Sequence, residues 1–272
     1  MKVCRYKKQI LTFFLLSYIM VTVITTELIM EQTRISIFSG NALKFIAAFA
    51  MVTDHVGMIL FPDIRIFRII GRIAFPIFAY MIAEGCRYTK DKLRYFLSVF
   101  LLGALCQSVY IIYENDMYMN VLITFSLSIM MIFALQNFKK ALFGGSSAVK
   151  KLAAAVLFVF SMAAAFIINI FLEIDYGFTG SMIALLASLP SMPLNAPEYL
   201  KRFDRIPFKV LLMGIGLIPL GIIMGGSQLY AVLALPFLLL YNGKRGKFRT
   251  KYFFYIFYPL HLALIEGISH IL

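Results

Sequence analysis

Long apolar runs broken by short polar clusters set the pattern of this chain. They fall at about 9–30, 42–61, 66–83, 95–113, 117–137, 152–172, 176–190, 208–224, 227–241 and 252–270. Most are roughly 16–22 residues long, enough for a helix to cross about 30 Å of hydrocarbon. Strands of a membrane barrel would be shorter and would alternate polar with apolar positions. The pattern predicts an all-α, polytopic membrane protein with about nine to ten transmembrane helices in one bundle. The short run at 176–190 is a candidate re-entrant segment. Ahead of the first run, residues 1–8 carry Lys2, Arg5, Lys7 and Lys8. That basic start followed by an apolar run reads as a signal anchor with no obvious cleavage site.

Charge in the joints sets the orientation. Basic clusters recur in every second loop: Arg87, Lys90, Lys92 and Arg94; Lys139, Lys140, Lys150 and Lys151; Lys201, Arg202, Arg205 and Lys209; Lys244, Arg245, Lys247, Arg249 and Lys251. The alternate loops hold Glu114, Asp116, Glu173 and Asp175, with Arg65 and Arg68 as the cations near that side. Cytoplasmic loops carry the Lys and Arg excess, so the basic end is expected in the cytoplasm. Ten full spans would leave basic residues 1–8 on the opposite side, a conflict confined to the first segment.

Composition agrees with the membrane reading. Hydrophobic residues make up 61% of the 272 residues, against roughly 45–50% in soluble domains. The net charge of +13 follows from the cytoplasmic loops and does not call for nucleic acid. Cys4, Cys86 and Cys106 form no metal-binding or disulfide pattern, and no metal is expected.

The chemistry concentrates in two neighbouring runs joined at Pro62-Asp63. These carry Lys44, Asp54, His55, Arg68, Arg72 and Glu84. An ionisable group inside a spanning helix costs roughly 2.5–3.5 kcal/mol even on a lenient scale, so such groups face a cavity or one another. Helix geometry puts His55 on the Lys44 face, roughly 16 Å deeper. His55 and Arg72 fall at similar depth on antiparallel neighbours, and Arg68 shares the Arg72 face. His261 lies near mid-membrane in the last run, with Tyr258 one turn before it. Adjacent helical residues point about 100° apart, so Asp54 is not expected to orient the His55 ring; its partner should come from another helix, Arg72 first. His261 could instead bond a carbonyl freed by Pro259. Glu84 sits at the inner end of its helix beside the basic loop.

These residues lie in LKFIAAFAMVTDHVG and RIIGRIAFPIFAYMIAEGCRYT. Further along come NVLITFSLSIMMIFAL, IDYGFTGSM, QLYAVLALPFLLLYNGKRG and FYIFYPLHLALI. In order and spacing the set resembles the TraX family, membrane proteins linked to N-acetylation of F-type pilin. The resemblance covers about residues 39–268, which divides the chain into an N-terminal segment, 1–38, and a membrane acyltransferase-like domain, 39–272. Broader multi-pass membrane acyltransferases are distantly similar. The resemblance implies acetyl transfer from cytoplasmic acetyl-CoA to an amine or hydroxyl of a pilin or other peptide, a glycan or a lipid. It also implies a bacterial cytoplasmic membrane. It carries over Asp54, His55, Arg72, Glu84 and His261 as site residues, and more weakly Asp175, Gln228, Tyr241 and Asn242.

On this reading the Lys44 face, with Lys244 and Arg245 in the loop, holds the donor, and neutral His55 takes a proton from the acceptor. Arg72 or Tyr258 would stabilise the oxyanion. Arg68, Glu84, Gln228, Tyr241 and Asn242 complete the binding set. Two rivals remain: a proton-coupled transporter, for which the sequence shows no pair of interrupted helices, and a non-enzymatic subunit of a secretion or conjugation machine.

Overall fold

The computed structural model describes residues 36–114, 117–248 and 250–271. The 9–30 segment lies outside the described residues. The helices are α1 (Gly40–Ile59), α2 (Arg65–Gly71), α3 (Ala74–Tyr88), α4 (Lys92–Glu114), α5 (Val121–Phe143), α6 (Ala148–Phe171), α7 (Gly177–Ser188), α8 (Glu198–Lys201), α9 (Ile206–Met224), a 3-10 segment (Gln228–Ala234) running into α10 (Leu235–Leu239), and α11 (Lys251–Ser269). Among the described residues the only β pairing is two isolated bridges, Phe38 with Tyr241 and Met119 with Ile174.

Seven of these segments are long and apolar enough to cross a membrane, counting α2 and α3 as one span, Arg65–Tyr88. Of the ten apolar runs, 9–30 falls outside the described residues and two form short helices, Gly177–Ser188 and Gln228–Leu239. At about 1.5 Å per residue, twelve residues reach only about 18 Å. Local causes are visible. α7 starts at Gly177 directly after Tyr176, both at positive φ, and at its far end the Lys139 ammonium donates to the carbonyls of Leu189 (2.6 Å) and Ser191 (2.9 Å). The 3-10 segment follows Gly225 and Gly226, whose φ values of 65° and 59° turn the chain back; only glycine adopts such backbone without strain.

The 66–83 run, expected as one helix, is interrupted at Arg72–Ile73. Pro76 explains the break: it has no N–H for the carbonyl four residues earlier, and its ring clashes with that carbonyl, which belongs to Arg72. Capping sets other helix starts. Ser39 Oγ accepts from Ala42 N (3.3 Å) at α1, and Asn120 Oδ1 accepts from Leu122 N (3.0 Å) at α5.

α3, α5, α7, α9 and the 228–239 segment form the interior, with Tyr80, Ile129, Ile183, Met213 and Leu235 among the fully buried side chains. α4, α6 and α11 lie at the perimeter and expose Leu101, Leu105, Phe160, Ile170, Ile256 and Leu264. Such faces suit lipid, which is as apolar as leucine.

The basic segments gather at one end. Gly40 N and Asn41 N donate to Lys244 O (2.8 Å) and Arg245 O (2.9 Å), and Arg87 pairs with Asp204 (2.6 Å). At the opposite end Met119 N donates to Glu173 O (2.7 Å) and Asp175 N to Met119 O (2.8 Å). The up-and-down order therefore matches the alternation of basic and acidic joints.

Candidate active site

Two groups of polar side chains and one cavity make up the candidate site. The first is built on Asp54. Arg68 Nη1 donates to Asp54 Oδ2 (2.8 Å) and Arg72 Nη2 donates to the same oxygen. Arg72 Nη1 donates to Gln228 Oε1 (3.0 Å). The break at Arg72 lets the guanidinium reach both α1 and the 3-10 segment. Gly71 admits the carboxylate: a Cβ there would lie 2.1 Å from Asp54 Oδ1. The cluster holds two guanidiniums against one carboxylate. Asp54 Oδ1, Arg72 Nε and Gln228 Nε2 are buried without hydrogen-bond partners, which buried polar atoms rarely are. Arg72 is thus the counter-ion of Asp54. Arg68 and Gln228, expected to bind substrate or donor, belong to this cluster.

The second group is a histidine pair. His55 Nδ1 lies 2.8 Å from Met51 O and His261 Nδ1 lies 2.9 Å from Phe257 O. A carbonyl only accepts, so both Nδ1 atoms carry a proton, and each ring in its neutral form presents Nε2 as a lone pair. The rings meet edge to face at 5.1 Å between centroids. Phe257 stacks on His261 at 5.0 Å and Tyr258 lies 5.9 Å away. His261 Nε2 is buried with no partner. Asp54 turns to the arginines and does not orient the His55 ring. The carbonyl that holds His261 belongs to Phe257; the one Pro259 frees, four residues before it, belongs to Tyr255.

The third feature is a cavity of about 650 Å³ opening at the basic end. Gly40, Lys44, Gly243, Arg245 and Thr250 line its mouth, with Glu84, Tyr88, Thr89, Tyr95 and Tyr241 on the walls. On α1 the lining runs through Gly40, Lys44 and Met51, one face of the helix, and His55 is the next turn of that face. On α11 it runs to Phe257 and Tyr258, and His261 follows. The lining stops one turn short of both histidines. Lys44 Nζ lies 5.9 Å from the Phe254 ring centroid.

Several expected site residues make contacts that hold the scaffold. Asn242 Oδ1 accepts from Lys244 N (2.8 Å) and closes the turn. The Lys244 side chain is exposed and outside the cavity lining, while its carbonyl holds the start of α1. Glu84 lines the cavity and also pairs with Lys209 (2.9 Å), which lies 3.4 Å from Asp204. Lys139 and Lys209, read from sequence as loop cations, are buried. The reason is that the 189–205 connection folds back over the helix ends, with Met192 N donating to Asp204 Oδ2 (3.2 Å).

Sequence reasoning missed Tyr176. It takes up left-handed backbone, φ 63°, uncommon for a bulky residue. Its ring stacks on Phe75 at 3.8 Å. The only advance signal was Gly177 after it. Beside it, Asp175 accepts from Tyr118 Oη (3.1 Å). Burial lifts the Asp175 carboxyl to a pKa of about 6, against the opposing pull of the Tyr118 hydrogen bond and of Arg72.

The chain is 34% identical over 99 residues to an uncharacterized protein of Rickettsia prowazekii, a match spanning 36% of this chain and 38% of that protein. It is 24% identical over 261 residues to the probable fimbrial assembly protein FimC, serogroup H1, of Dichelobacter nodosus, covering 84% of this chain and 94% of that one. No solved structure matches. The model of the family described as TraX protein matches residues 39–269, every helix from α1 to α11, and the chain belongs to that family.

Proposed function

We propose that this protein is a multi-pass acetyltransferase of a bacterial cytoplasmic membrane, acting in pilus or envelope assembly. It moves an acetyl group from cytoplasmic acetyl-CoA to an amine or hydroxyl acceptor. The similarity to a fimbrial assembly protein supports the cellular setting. The observation that carries the chemistry is the histidine pair: two rings fixed through Nδ1, presenting Nε2 one turn beyond a cavity that opens on the basic end.

The residues fit a CoA thioester. Lys44 and Arg245 at the mouth suit phosphate oxygens. From Gly40 to Met51 the cavity wall is about 16 Å long, deep enough for an extended arm to bring a thioester near the histidines. His55 Nε2 takes the proton of the acceptor amine or hydroxyl as its nitrogen or oxygen bonds to the thioester carbonyl carbon. The C–S bond then breaks and the proton passes to the departing thiolate. Tyr258, in the lining and 5.9 Å from the His261 ring, offers a hydroxyl donor for the carbonyl oxygen. General acid–base catalysis of this kind contributes about 10²–10⁴-fold.

The test is thiol release from acetyl-CoA by purified protein in proteoliposomes. His55→Gln and His261→Gln should fold and insert normally and lose at least about 100-fold in turnover. Near-normal release by both variants would remove the pair from the mechanism.

One observation favours a second reading, proton-coupled transport. Two interrupted helical segments, at Arg72–Ile73 and Gln228–Ala234, meet inside the bundle through the Arg72–Gln228 bond; interrupted helices point to transport when they occupy matching halves of a repeat. A transporter would move labelled solute across the vesicle without consuming thioester.

A further inference from the structure

Two perimeter helices flank the cavity without packing together. Val99 and Leu102 of α4 line one side, and Tyr255 and Tyr258 of α11 line another. Among the described residues α4 packs on α5 and α11 packs on α1, but α4 and α11 do not pack on each other. Both are held loosely: 17% of the apolar stretch of α4 is buried and 11% of that of α11, against 56% for α5. Side-chain bonds tie the pair at two levels. Tyr255 bonds to Ser98, and Tyr113 Oη lies 2.5 Å from His270 Nε2. The ties are about fifteen residues apart on both helices, so the wall between them is about 22 Å tall. Ser98, Leu102 and Cys106, spaced four apart, share one face of α4 along it.

Direct transfer needs donor and acceptor in the site together. CoA takes the mouth at the basic end, so the acceptor needs another way in, and this wall borders lipid. A wholly polar acceptor would have to cross hydrocarbon to reach it, which is strongly disfavoured. A membrane-spanning peptide is too wide. A helix seated between two others separates their axes by roughly twice the 8–10 Å of a packed pair, more than a tyrosine–serine bond can bridge. A hydrocarbon tail is thin enough to lie between the two ties. We propose that the acceptor is lipid-linked: its tail lies between α4 and α11, beside Leu102 and Cys106, and its amine or hydroxyl meets the histidine pair. The chemistry is unchanged: the acceptor nitrogen or oxygen bonds to the acetyl carbon, the C–S bond breaks, and the acceptor's proton ends on the thiol. The inference rests on the acetyl-transfer reading of the same cavity.

The experiment uses the full chain in phosphatidylcholine nanodiscs, whose lipid has no amine or hydroxyl to acetylate. Hexadecylamine and hexadecanol are compared with butylamine and butanol at equal total amount, with acetyl-CoA as donor. Mass spectrometry reads the acetylated product and thiol release is followed in parallel. The hexadecyl acceptor should react at least about tenfold faster than its butyl counterpart, since the anchor concentrates it at the wall. Leu102→Trp and Cys106→Trp fill the wall from two positions. Each should lower the hexadecyl-to-butyl ratio by about tenfold, the loss of two or so methylenes of contact; a ratio taken within one preparation is unaffected by the fraction folded. Three results overturn the lipid-linked acceptor and leave acetyl transfer standing: equal rates for the two tail lengths, a ratio unchanged in both variants, or equal acetylation of a synthetic membrane-spanning peptide at its N-terminus. No thiol release with any acceptor overturns both.

Discussion

Asp54→Asn is the sharpest perturbation of the polar interior. The substitution keeps the side chain's volume and removes its charge. Arg68 keeps about a third of its side chain exposed (30%) and can turn outward, but Arg72 is 10% exposed. After the change, Gln228 Oε1 is the neutral acceptor left to Arg72 (3.0 Å). Removing one partner of a buried ion pair costs about 3–5 kcal/mol, because the remaining charge stays buried and uncompensated. Arg72→Gln alone should cost a similar amount, leaving a carboxylate paired only with the partly exposed Arg68. The double variant removes both charges, so its loss should fall short of the sum by about 2–3 kcal/mol. Unfolding by SDS titration in mixed micelles, followed by loss of helical signal, measures all three. Strict additivity would refute the account of Arg72 as counter-ion. Thiol release from Asp54→Asn gives a second readout. Since His55 is held by Met51 O and not by Asp54, folded Asp54→Asn should lose far less turnover than His55→Gln.

Gly71→Ala should destabilise by about 1–3 kcal/mol, since its Cβ would lie 2.1 Å from Asp54 Oδ1 and the site is closely packed; the same micelle titration reads it. Lys44→Gln should raise KM for acetyl-CoA several-fold with a smaller change in kcat, because Lys44 lines the mouth of the cavity and not its reactive end; an equal loss in kcat would contradict that placement. Asp175 should make stability fall as pH rises from about 4 to 6. Its carboxyl titrates near 3.8 when unfolded and near 6 when folded, so the native state binds the extra proton in that window. The loss is on the order of 2 kcal/mol, allowing for the carboxyl's partial exposure, and Asp175→Asn should abolish it.

Much of this arrangement was legible because helices in lipid obey simple arithmetic. Counting residues from the ends of two apolar runs placed His55 level with Arg72 and made Arg72 the first partner expected for the neighbouring Asp54, and the structure joins Asp54 to Arg72. Pro76 carried the signal for the Arg72–Ile73 break, but the apolar run continues through it and hides the interruption. The roles of Lys139 and Lys209 were not legible, since both depend on a distant connection, 189–205, folding back over the helix ends. The cavity was half legible. Its α1 face follows from the spacing of Lys44 and His55, but its floor comes from α3, α4 and α5. Nothing local in Val121 or Leu122 says that the start of α5 packs on α4 beside the cavity; that depends on Asn120 reaching Gly103 O.

The division of labour between the two polar groups bears on which of them reacts. In the Asp54 cluster each charge faces an opposite charge or an amide, which is how a bilayer protein neutralises costly groups. His261 is different. Its ring already packs as an aromatic, stacked on Phe257 and edged by His55 and Tyr258. A phenylalanine would fill that space without burying a lone pair. Its Nδ1 bond to Phe257 O adds little that holds the helix, because that carbonyl is already the normal partner of the His261 backbone N–H. What the imidazole adds over a phenyl ring is Nε2, buried and unpartnered within the chain, one turn from the end of a cavity. A basic nitrogen left unsatisfied there is disfavoured in the resting protein and becomes favourable when a proton-bearing acceptor arrives. The same reasoning separates structure from chemistry by substitution: His261→Phe should keep the bundle's stability and lose its turnover, and a stable, active His261→Phe would leave the nitrogen without a purpose.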